Sequence, residues 1–501
     1  MSRTRRLFAG IGASCARFAV TAACSLVAVP VYLHFLGTEA YGLWLAVLSV
    51  LAPLSLMSVG FPTASQNLLA EARAAGDWDQ ASRVLGTSFI FLLCAAVAAC
   101  LLMLSGLRLG FVQALLKASP GLRGDVAPAL LIALGGFALS QPFQVFRLAF
   151  RAFERVDLEQ YGLAAFGTAN LLLTIFVLWA GQGIIGVALA YTFLQLAGGI
   201  AFFAALRQKF PCLHFSVRLF SPGLARRMLS PGFHFFVVSV SGVLMWGIDN
   251  LVISGVMGVV FVTAFAIAAR LTSLLREMLA MPFSTSAPTI TALGAEGKEQ
   301  SLRRLFFLST RLALFAAVLF GVELAFFGRG FIRLWAGRSA VVDPATFMAL
   351  IGILILNVLQ QPSNAYVVAT TRHRTFAWLS LLEGVVNLAL SWWWVHKWGV
   401  LGVALGTLVP HALISGLYLV IAGTRMNGFT FSELWRKNVQ SLALPATASA
   451  AAAFFLRNFS GSWLEWGFST GLTLLVFALT CWLVSTTAEE RGLLAGVLRT
   501  A

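Results

Sequence analysis

Charged residues are scarce in this chain. They make up only 11% of its 501 residues, and just 19 of them are acidic. Soluble domains carry about 25% charged residues. Hydrophobic residues reach 59% and the mean hydropathy is +0.87, more apolar surface than a water-soluble fold can cover. The shortage of charge therefore excludes a soluble globular protein.

Cysteine and histidine are also scarce, with six of each. No pair of histidines has zinc-site spacing, and no Ser/His/Asp or Cys/His set stands out along the chain. The cysteines show neither metal-ligand spacing nor a disulfide framework: Cys15, Cys24, Cys94, Cys100, Cys212 and Cys481. We therefore expect no enzyme, no metal site and no cofactor.

One segment, Gly181–Gly186, spells the nucleotide-binding pattern GxGxxG. That pattern binds dinucleotides only where it follows a strand and opens a helix within a βαβ unit. Here it lies in a short hairpin between two hydrophobic segments, with no strand before it. We interpret its small residues as helix-packing positions.

Apolar runs of about twenty residues recur from end to end, each long enough to cross a bilayer. They predict an all-α, polytopic integral membrane protein with about fourteen transmembrane helices, or twelve to thirteen if the last pair is misread. The runs lie near 8–35, 40–62, 84–107, 126–149, 159–180, 184–206, 232–257, 260–282, 304–327, 345–368, 376–395, 399–422, 440–457 and 464–485.

The net charge of +16 would indicate a nucleic-acid partner in a soluble protein. Most of the 35 lysines and arginines, however, fall in alternate segments between the apolar runs. The positive-inside rule places these segments in the cytoplasm, together with both termini. The basic excess therefore predicts membrane orientation and attraction to lipid head groups, with no nucleic-acid partner.

An eight-residue phrase occurs twice, at Gly183–Ala190 and at Gly399–Gly406, and the earlier Gln141-Pro142 is echoed by Gln361-Pro362. A nearly constant offset indicates a duplicated half. Six helices per half would make the two copies parallel. The repeat predicts an N-lobe at 1–206, a basic cytoplasmic linker at 207–230, a C-lobe at 231–422, and two extra helices with a cytoplasmic tail at 423–501.

Charged and polar side chains inside the predicted spans are the candidate site residues, because such groups normally face a cavity or a partner. In one interpretation Arg17 and Arg270 line a central cationic cavity suited to an anion such as a pyrophosphate. In the other, Arg270 forms a structural pair with Glu277 or Asp249. The remaining candidates serve ion coupling or structural pairing: Asp249, Asn250, Glu277, Glu323 and Glu383.

Three segments carry a family resemblance. Leu36–Trp44 resembles the turn between the first two helices of Wzx-type polysaccharide flippases, and Trp246–Gly255 and Phe265–Leu271 resemble their seventh and eighth helices. Phe265 replaces the usual tyrosine. These flippases belong to a larger group, the multidrug/oligosaccharidyl-lipid/polysaccharide (MOP) exporters, which includes the multidrug and toxin extruders (MATE proteins) and the lipid II flippase.

The resemblance implies a MATE-like fold of two six-helix lobes around a central cavity. It also implies export of undecaprenyl-pyrophosphate-linked oligosaccharide across the bacterial inner membrane by alternating access, with Arg17 and Arg270 holding the pyrophosphate. The implied partners are the lipid-linked oligosaccharide, membrane lipid and, as a further candidate, the polysaccharide polymerase and co-polymerase machinery. Proton or sodium coupling stays open.

Two other functions compete with this one. A cation-coupled exporter of drugs or small solutes could use the same fold and would favour a carboxylate-lined cavity. A polysaccharide polymerase or ligase would need a large outside loop, whereas the longest ones here, 108–125 and 328–343, are short.

Overall fold

The computed structural model describes residues 3–58, 61–369 and 373–485. Every regular element in this part of the chain is a helix. The sequence-based prediction of an all-α protein is therefore confirmed. By contacts between residues, the chain divides into two compact units: unit 1, Met1–Thr263, and unit 2, Ala264–Ala501.

Unit 1 contains ten helices and the start of an eleventh, along with three short 3₁₀ helices at Pro53–Ser58, Gln141–Phe143 and Val217–Leu219. The α-helices are α1 Arg3–Leu51, α2 Phe61–Ala75, α3 Trp78–Arg108, α4 Phe111–Leu115, α5 Arg123–Ser140, α6 Gln144–Ala152, α7 Val156–Trp179, α8 Gly183–Lys209, α9 Pro222–Trp246, α10 Asp249–Val256 and α11 Val259–Ala295.

Unit 2 continues from α11 and also contains four π-helical turns, at Leu324–Gly328, His411–Gly416, Trp435–Val439 and Cys481–Ser485. A 3₁₀ helix spans Arg338–Ala340. Its further α-helices are α12 Glu299–Glu323, α13 Arg329–Ala336, α14 Pro344–Ala369, α15 His373–Trp398, α16 Val400–Pro410, α17 Leu417–Met426, α18 Phe431–Leu434, α19 Gln440–Leu456 and α20 Trp463–Thr480.

Among the described residues, eleven helices are long and apolar enough to cross a membrane, or twelve if one bent pair counts as a span. The first of them, Gly12–Leu56, covers two predicted spans. It is broken at Gly37, whose φ of 75° and ψ of 178° are not helical. Gln440–Leu456 is apolar but shorter than the others. The count of fourteen stays a prediction.

The span predicted over 232–257 is broken, because α9 and α10 meet at a 43° bend between Trp246 and Asp249. Gly247 follows the last turn of α9, and glycine has a low helix propensity, which favours a break there. Asp249 then occupies the first turn of α10, where a carboxylate interacts favourably with the helix dipole. The break places Asp249 at a helix start.

The predicted linker packs on unit 1. The His214 backbone amide donates to Ser82 Oγ at 3.0 Å, and the Ser221 amide donates to Thr87 Oγ1 at 3.1 Å. At Gly86 of α3, a Cβ atom would lie 2.6 Å from the Ser216 carbonyl oxygen. The segment is thus held against α3, and its last residues already belong to α9. The lobe boundaries stay a prediction.

Hydrogen bonds to backbone carbonyls tie the C-terminal helices to α12, α13 and the π-helical turn between them. Trp466 Nε1 donates to the Phe327 carbonyl at 3.2 Å, and Arg333 Nη2 donates to the Ser460 carbonyl at 3.0 Å. Arg311, only 7% exposed, donates to the Ser485 carbonyl at the end of the last helical turn. These bonds anchor both ends of α20 to unit 2.

The repeated glycine phrase opens two helices that each pack back on the preceding one, α8 on α7 and α16 on α15. A Cβ at Gly402 would overlap the Trp394 carbonyl, and one at Gly406 would lie 2.7 Å from Ser391 Cα. In the first copy, a Cβ at Gly186 would be 2.5 Å from the Val177 side chain. The close approach of helices explains the small residues and removes the nucleotide interpretation.

We predict that Gly402→Ala destabilises the protein by about 1–3 kcal/mol, the usual cost of overpacking a close contact. The added methyl group would meet backbone atoms of α15, which cannot rotate away. Gly467→Ala is the matched control, since a Cβ there has no neighbour within 4 Å. Thermal unfolding in detergent measures the stability of both variants. Equal melting temperatures would contradict the role of Gly402 in helix packing.

Candidate functional site

The carboxylate of Glu159 is the most enclosed acidic group of unit 1, with a side chain that is 0% exposed. It accepts a hydrogen bond from Arg147 Nη1 at 2.8 Å and a second one from Arg151 Nε. The arginine side chains are 27% and 39% exposed. One buried carboxylate therefore holds two guanidinium groups that remain accessible.

The local sequence explains this geometry. Arg147 and Arg151 are four residues apart on α6, so they share one helix face. The chain then reverses through Glu154, which has a positive φ of 55°. Glu159 follows in the first turn of α7, where the helix dipole favours a negative charge. The turn thus brings the carboxylate beside both guanidinium groups.

A second ion pair closes the same turn. Arg155 donates from Nε and Nη2 to the two carboxylate oxygens of Asp157, both at 3.0 Å. This hydrogen bonding raises the pKa of Arg155 above its usual value. Two parallel bonds fix the orientation of a guanidinium, so the pair fastens the start of α7 to the turn.

Arg17 completes the group. It lies half-buried on α1, and its Nε is enclosed without a hydrogen-bond partner in the described part of the chain. It is close enough to Arg147 for the two positive charges to repel each other. Arg17, Arg147, Arg151 and Glu159 form what we call the arginine cluster, which carries a net charge of +2.

The arginine cluster has the chemistry of an anion site. A guanidinium has five N–H donors, and Glu159 takes one from Arg147 and one from Arg151. Planar guanidinium groups match phosphate oxygens with two parallel hydrogen bonds. The cluster lies at the end of α6 that the distribution of basic residues predicts to face the cytoplasm.

The other predicted cation, Arg270, lies half-buried on α11 in unit 2. Glu277 is exposed on the same helix. Asp249 begins α10, and Asn250 Nδ2 donates to Ser49 Oγ on α1 at 3.1 Å. Pairing of Arg270 with either acid stays a prediction. So does a central cavity lined by Arg17 and Arg270.

The two remaining candidate acids, both in unit 2, have different surroundings. Glu323 ends α12, and its two carboxylate oxygens are enclosed without a hydrogen-bond partner among the described residues. Glu383 on α15 is 0% exposed and lies 2.7 Å from His411 Nδ1 through its Oε1 atom. Ser415 Oγ donates to the other carboxylate oxygen. Only Glu383 is thus held by a local network of side chains.

Sequence reasoning missed two parts of these sites. Hydropathy does not single out Arg147, Arg151 or Glu159, because they lie at or beyond the edges of the predicted spans 126–149 and 159–180. The helical spacing of four residues between the two arginines was the available signal. His411 is one of six histidines spread along the chain, yet an ionisable side chain within an apolar run calls for a partner.

Residues 9–294 match the family model described as polysaccharide biosynthesis protein. The chain belongs to this family. The family resemblance drawn from the three sequence segments is therefore confirmed. No curated protein matches the chain.

Solved structures show the same fold at low sequence identity. The lipid II flippase MurJ, in an inward closed conformation, has a TM-score of 0.72 and 15% identity, covering 97% of this chain and 99% of its own. An inward-facing multidrug resistance MATE transporter of the MOP superfamily has a TM-score of 0.70 and 16% identity, covering 85% and 98%.

A third similar structure is a MOP superfamily transporter from Pyrococcus furiosus, described as having a binding pocket of reverse polarity. It has a TM-score of 0.58 and 15% identity, covering 84% of this chain and 95% of its own. These likenesses confirm a polytopic, MATE-like membrane fold for this chain.

We predict that Glu159→Ala lowers the free energy of unfolding by about 1–3 kcal/mol, because two neighbouring guanidinium groups lose their shared counter-charge. The effect is smaller than for a fully buried pair, since both arginines reach solvent. The loss should shrink in high salt, which screens the remaining repulsion. Thermal unfolding in detergent at low and high salt measures it.

Glu154→Ala is the matched control. Glu154 is 43% exposed, and its carboxylate lies 4.0 Å from Arg73 Nη2. An exposed ion pair of this kind contributes little to stability. If Glu154→Ala and Glu159→Ala unfold at the same temperature, the buried carboxylate does not organise the cluster.

Proposed function

We propose that this protein flips undecaprenyl-pyrophosphate-linked oligosaccharides from the inner to the outer leaflet of the bacterial inner membrane for polysaccharide biosynthesis. Membership of the polysaccharide biosynthesis protein family supports this proposal. The fold shared with the lipid II flippase supports a flipping mechanism. The arginine cluster is the observation in this chain that carries the substrate class.

A lipid-linked oligosaccharide has a polyprenyl tail, a pyrophosphate and a sugar head group. Moving the sugar and the pyrophosphate into hydrocarbon costs free energy, because both lose their hydration and need compensating contacts. A net charge of +2 at the predicted cytoplasmic end would attract the pyrophosphate, and the guanidinium forks would hold its oxygens. The tail can stay in lipid while the head group crosses.

Alternating access supplies the crossing. In the inward state the arginine cluster would receive the pyrophosphate from the inner leaflet. Arg270 of unit 2 is the second cation that we assign to the path, as a later contact for the same group. Polysaccharide polymerase and co-polymerase machinery would receive the exported unit.

A second candidate function is export of drugs or small solutes coupled to a cation. The likeness to a multidrug resistance MATE transporter and the enclosed acids Glu323 and Glu383 favour it. The net positive charge of the arginine cluster argues against cationic drugs as cargo, because like charges repel. Drug resistance on expression, with unchanged surface polysaccharide, would support this second function.

We predict that Arg147→Ala combined with Arg151→Ala, or Arg17→Ala alone, reduces polysaccharide export about tenfold or more. Each lost guanidinium removes hydrogen bonds to a charged group, worth about 1.5–3 kcal/mol apiece. Lipid analysis of cells carrying each variant should show trapped undecaprenyl-linked repeat units. Arg227→Ala is the control. Arg227 is 63% exposed and forms a surface ion pair with Glu71 at 3.7 Å, outside the arginine cluster.

Membrane levels of each variant are measured in the same cells, which separates lost function from lost protein. Normal export by the double variant and by Arg17→Ala, at normal protein levels, would contradict the proposed role of the arginine cluster. Accumulation of no lipid-linked sugar in a deletion strain would contradict the flippase function itself.

The predicted orientation has an independent test in Cys212. This thiol is exposed and lies in the basic segment between α8 and α9. A membrane-impermeant thiol reagent should label it in inverted membrane vesicles and leave it unlabelled in intact spheroplasts. Cys212→Ser identifies the signal that belongs to this residue. Labelling from the outside alone would reverse the assigned orientation.

A further inference from the structure

A cavity of about 300 Å³ opens in unit 1 between the last turns of α8 and the segment that follows this helix. The distribution of basic residues predicts that this end of α8 faces the cytoplasm. We call it the linker cavity. Ligand pockets usually enclose about 300–1,000 Å³, so it has room for one small polar group. Its walls are formed by Phe203, Arg207, Pro211, Leu213, His214 and Phe215.

The packing of unit 1 holds the walls of the linker cavity in place. Pro211 follows the last turn of α8 and lacks the N–H group that a further helical turn needs. The His214 backbone amide then donates to Ser82 Oγ on α3 at 3.0 Å. The Phe215 ring packs on Phe203 of α8 with centroids 5.6 Å apart. The cavity is therefore shaped by fixed contacts to α3 and α8.

Arg207 and His214 give the linker cavity the character of an anion site. Both side chains are exposed, and neither forms a hydrogen bond or an ion pair with another residue in the part of the chain that the structure describes. A guanidinium has five N–H donors, and an imidazole donates from at least one ring nitrogen. Such donors match the oxygens of a phosphate group.

The surface around the linker cavity is basic and apolar at once. The segment 207–230 carries five lysines and arginines and no acidic residue. The apolar side chains of Val217 and Phe220 are exposed between these cations. Basic and exposed apolar residues in alternation are typical of a surface that lies on anionic lipid head groups. A soluble anion would need only the positive charge, so the apolar side chains favour a lipid.

An apolar stripe on α8 leads to the linker cavity. Leu189, Phe193 and Ile200 are each more than half exposed, and they precede Arg207 at intervals that keep all four side chains on one helix face. Arg207 lies about 36 Å from Gly183, the first residue of α8, at 1.5 Å per residue. This length exceeds a hydrocarbon core of about 30 Å. Arg207 therefore reaches the level of the lipid head groups, directly beside the apolar stripe.

We infer that the linker cavity binds the phosphate of an anionic phospholipid from the cytoplasmic leaflet. Arg207 and His214 donate to the phosphate oxygens, and the acyl chains lie along the apolar stripe of α8. The site uses other residues than the arginine cluster. It does not depend on which solute the protein exports, so it can be tested without a transport assay.

Binding of short-chain lipids to the purified full-length protein in a nonionic detergent tests this inference. Dioctanoyl phosphatidylglycerol has one negative charge, and dioctanoyl phosphatidylcholine has the same chains and no net charge. A ligand that binds the folded state raises the unfolding temperature with its concentration, which gives the affinity. We expect phosphatidylglycerol to bind about tenfold more tightly, because the choline group brings a positive charge near the two donors.

Arg207→Ala should weaken phosphatidylglycerol binding about tenfold or more, since it removes hydrogen bonds between charged groups. His214→Ala should weaken it about threefold, as expected for one weaker hydrogen bond. Arg218→Ala is the matched control, because it removes the same charge from the same segment but does not line the cavity. All three side chains are exposed, so without lipid the variants should unfold at the wild-type temperature.

Three results would overturn the inference. Equal binding of the two lipids, or an equal loss in Arg218→Ala and Arg207→Ala, would show attraction to a basic surface without a site. Equal stabilisation by glycerophosphoglycerol, which has the same head group and no chains, would show a site for a soluble phosphate ester. Loss of the preference in the Arg147→Ala, Arg151→Ala double variant, with Arg207→Ala unaffected, would assign the lipid to the arginine cluster.

Discussion

A fully buried carboxylate needs polar partners to replace its lost hydration, and this requirement shapes the polar interior of the protein. Glu159 and Glu383 are both 0% exposed, one in each compact unit. Two arginines donate hydrogen bonds to Glu159, whereas Glu383 contacts His411 and Ser415. The polar partners of the two carboxylates therefore differ between the units.

In unit 1 the compensation exceeds what the carboxylate needs. Two arginines bind one glutamate, and Arg17 adds a third positive charge near Arg147. A protein that only needed to bury Glu159 would do so with one partner, so the excess is best explained by an anion that comes and goes. We propose that this anion is the pyrophosphate of the lipid-linked substrate.

Much of the fold could be predicted from sequence, because a bilayer enforces long apolar helices and basic cytoplasmic segments. The break at Gly37 and the packing of Gly402 also follow from local sequence. The bend before Asp249 does not follow from local sequence, because the residues around it form one apolar run. Arg17 was identified by its position in a span, whereas Arg147, Glu159 and His411 depend on contacts between helices that hydropathy does not reveal.

Binding of the head group tests the central claim most directly. The affinity of the purified protein in detergent should be measured for undecaprenyl pyrophosphate and for undecaprenol, which has the same tail and no charge. The account predicts clearly tighter binding of the pyrophosphate, a preference that weakens with salt and is lost when Arg147 and Arg151 are both replaced by alanine. Equal affinities for the two lipids, or an unchanged preference in the double variant, would contradict it.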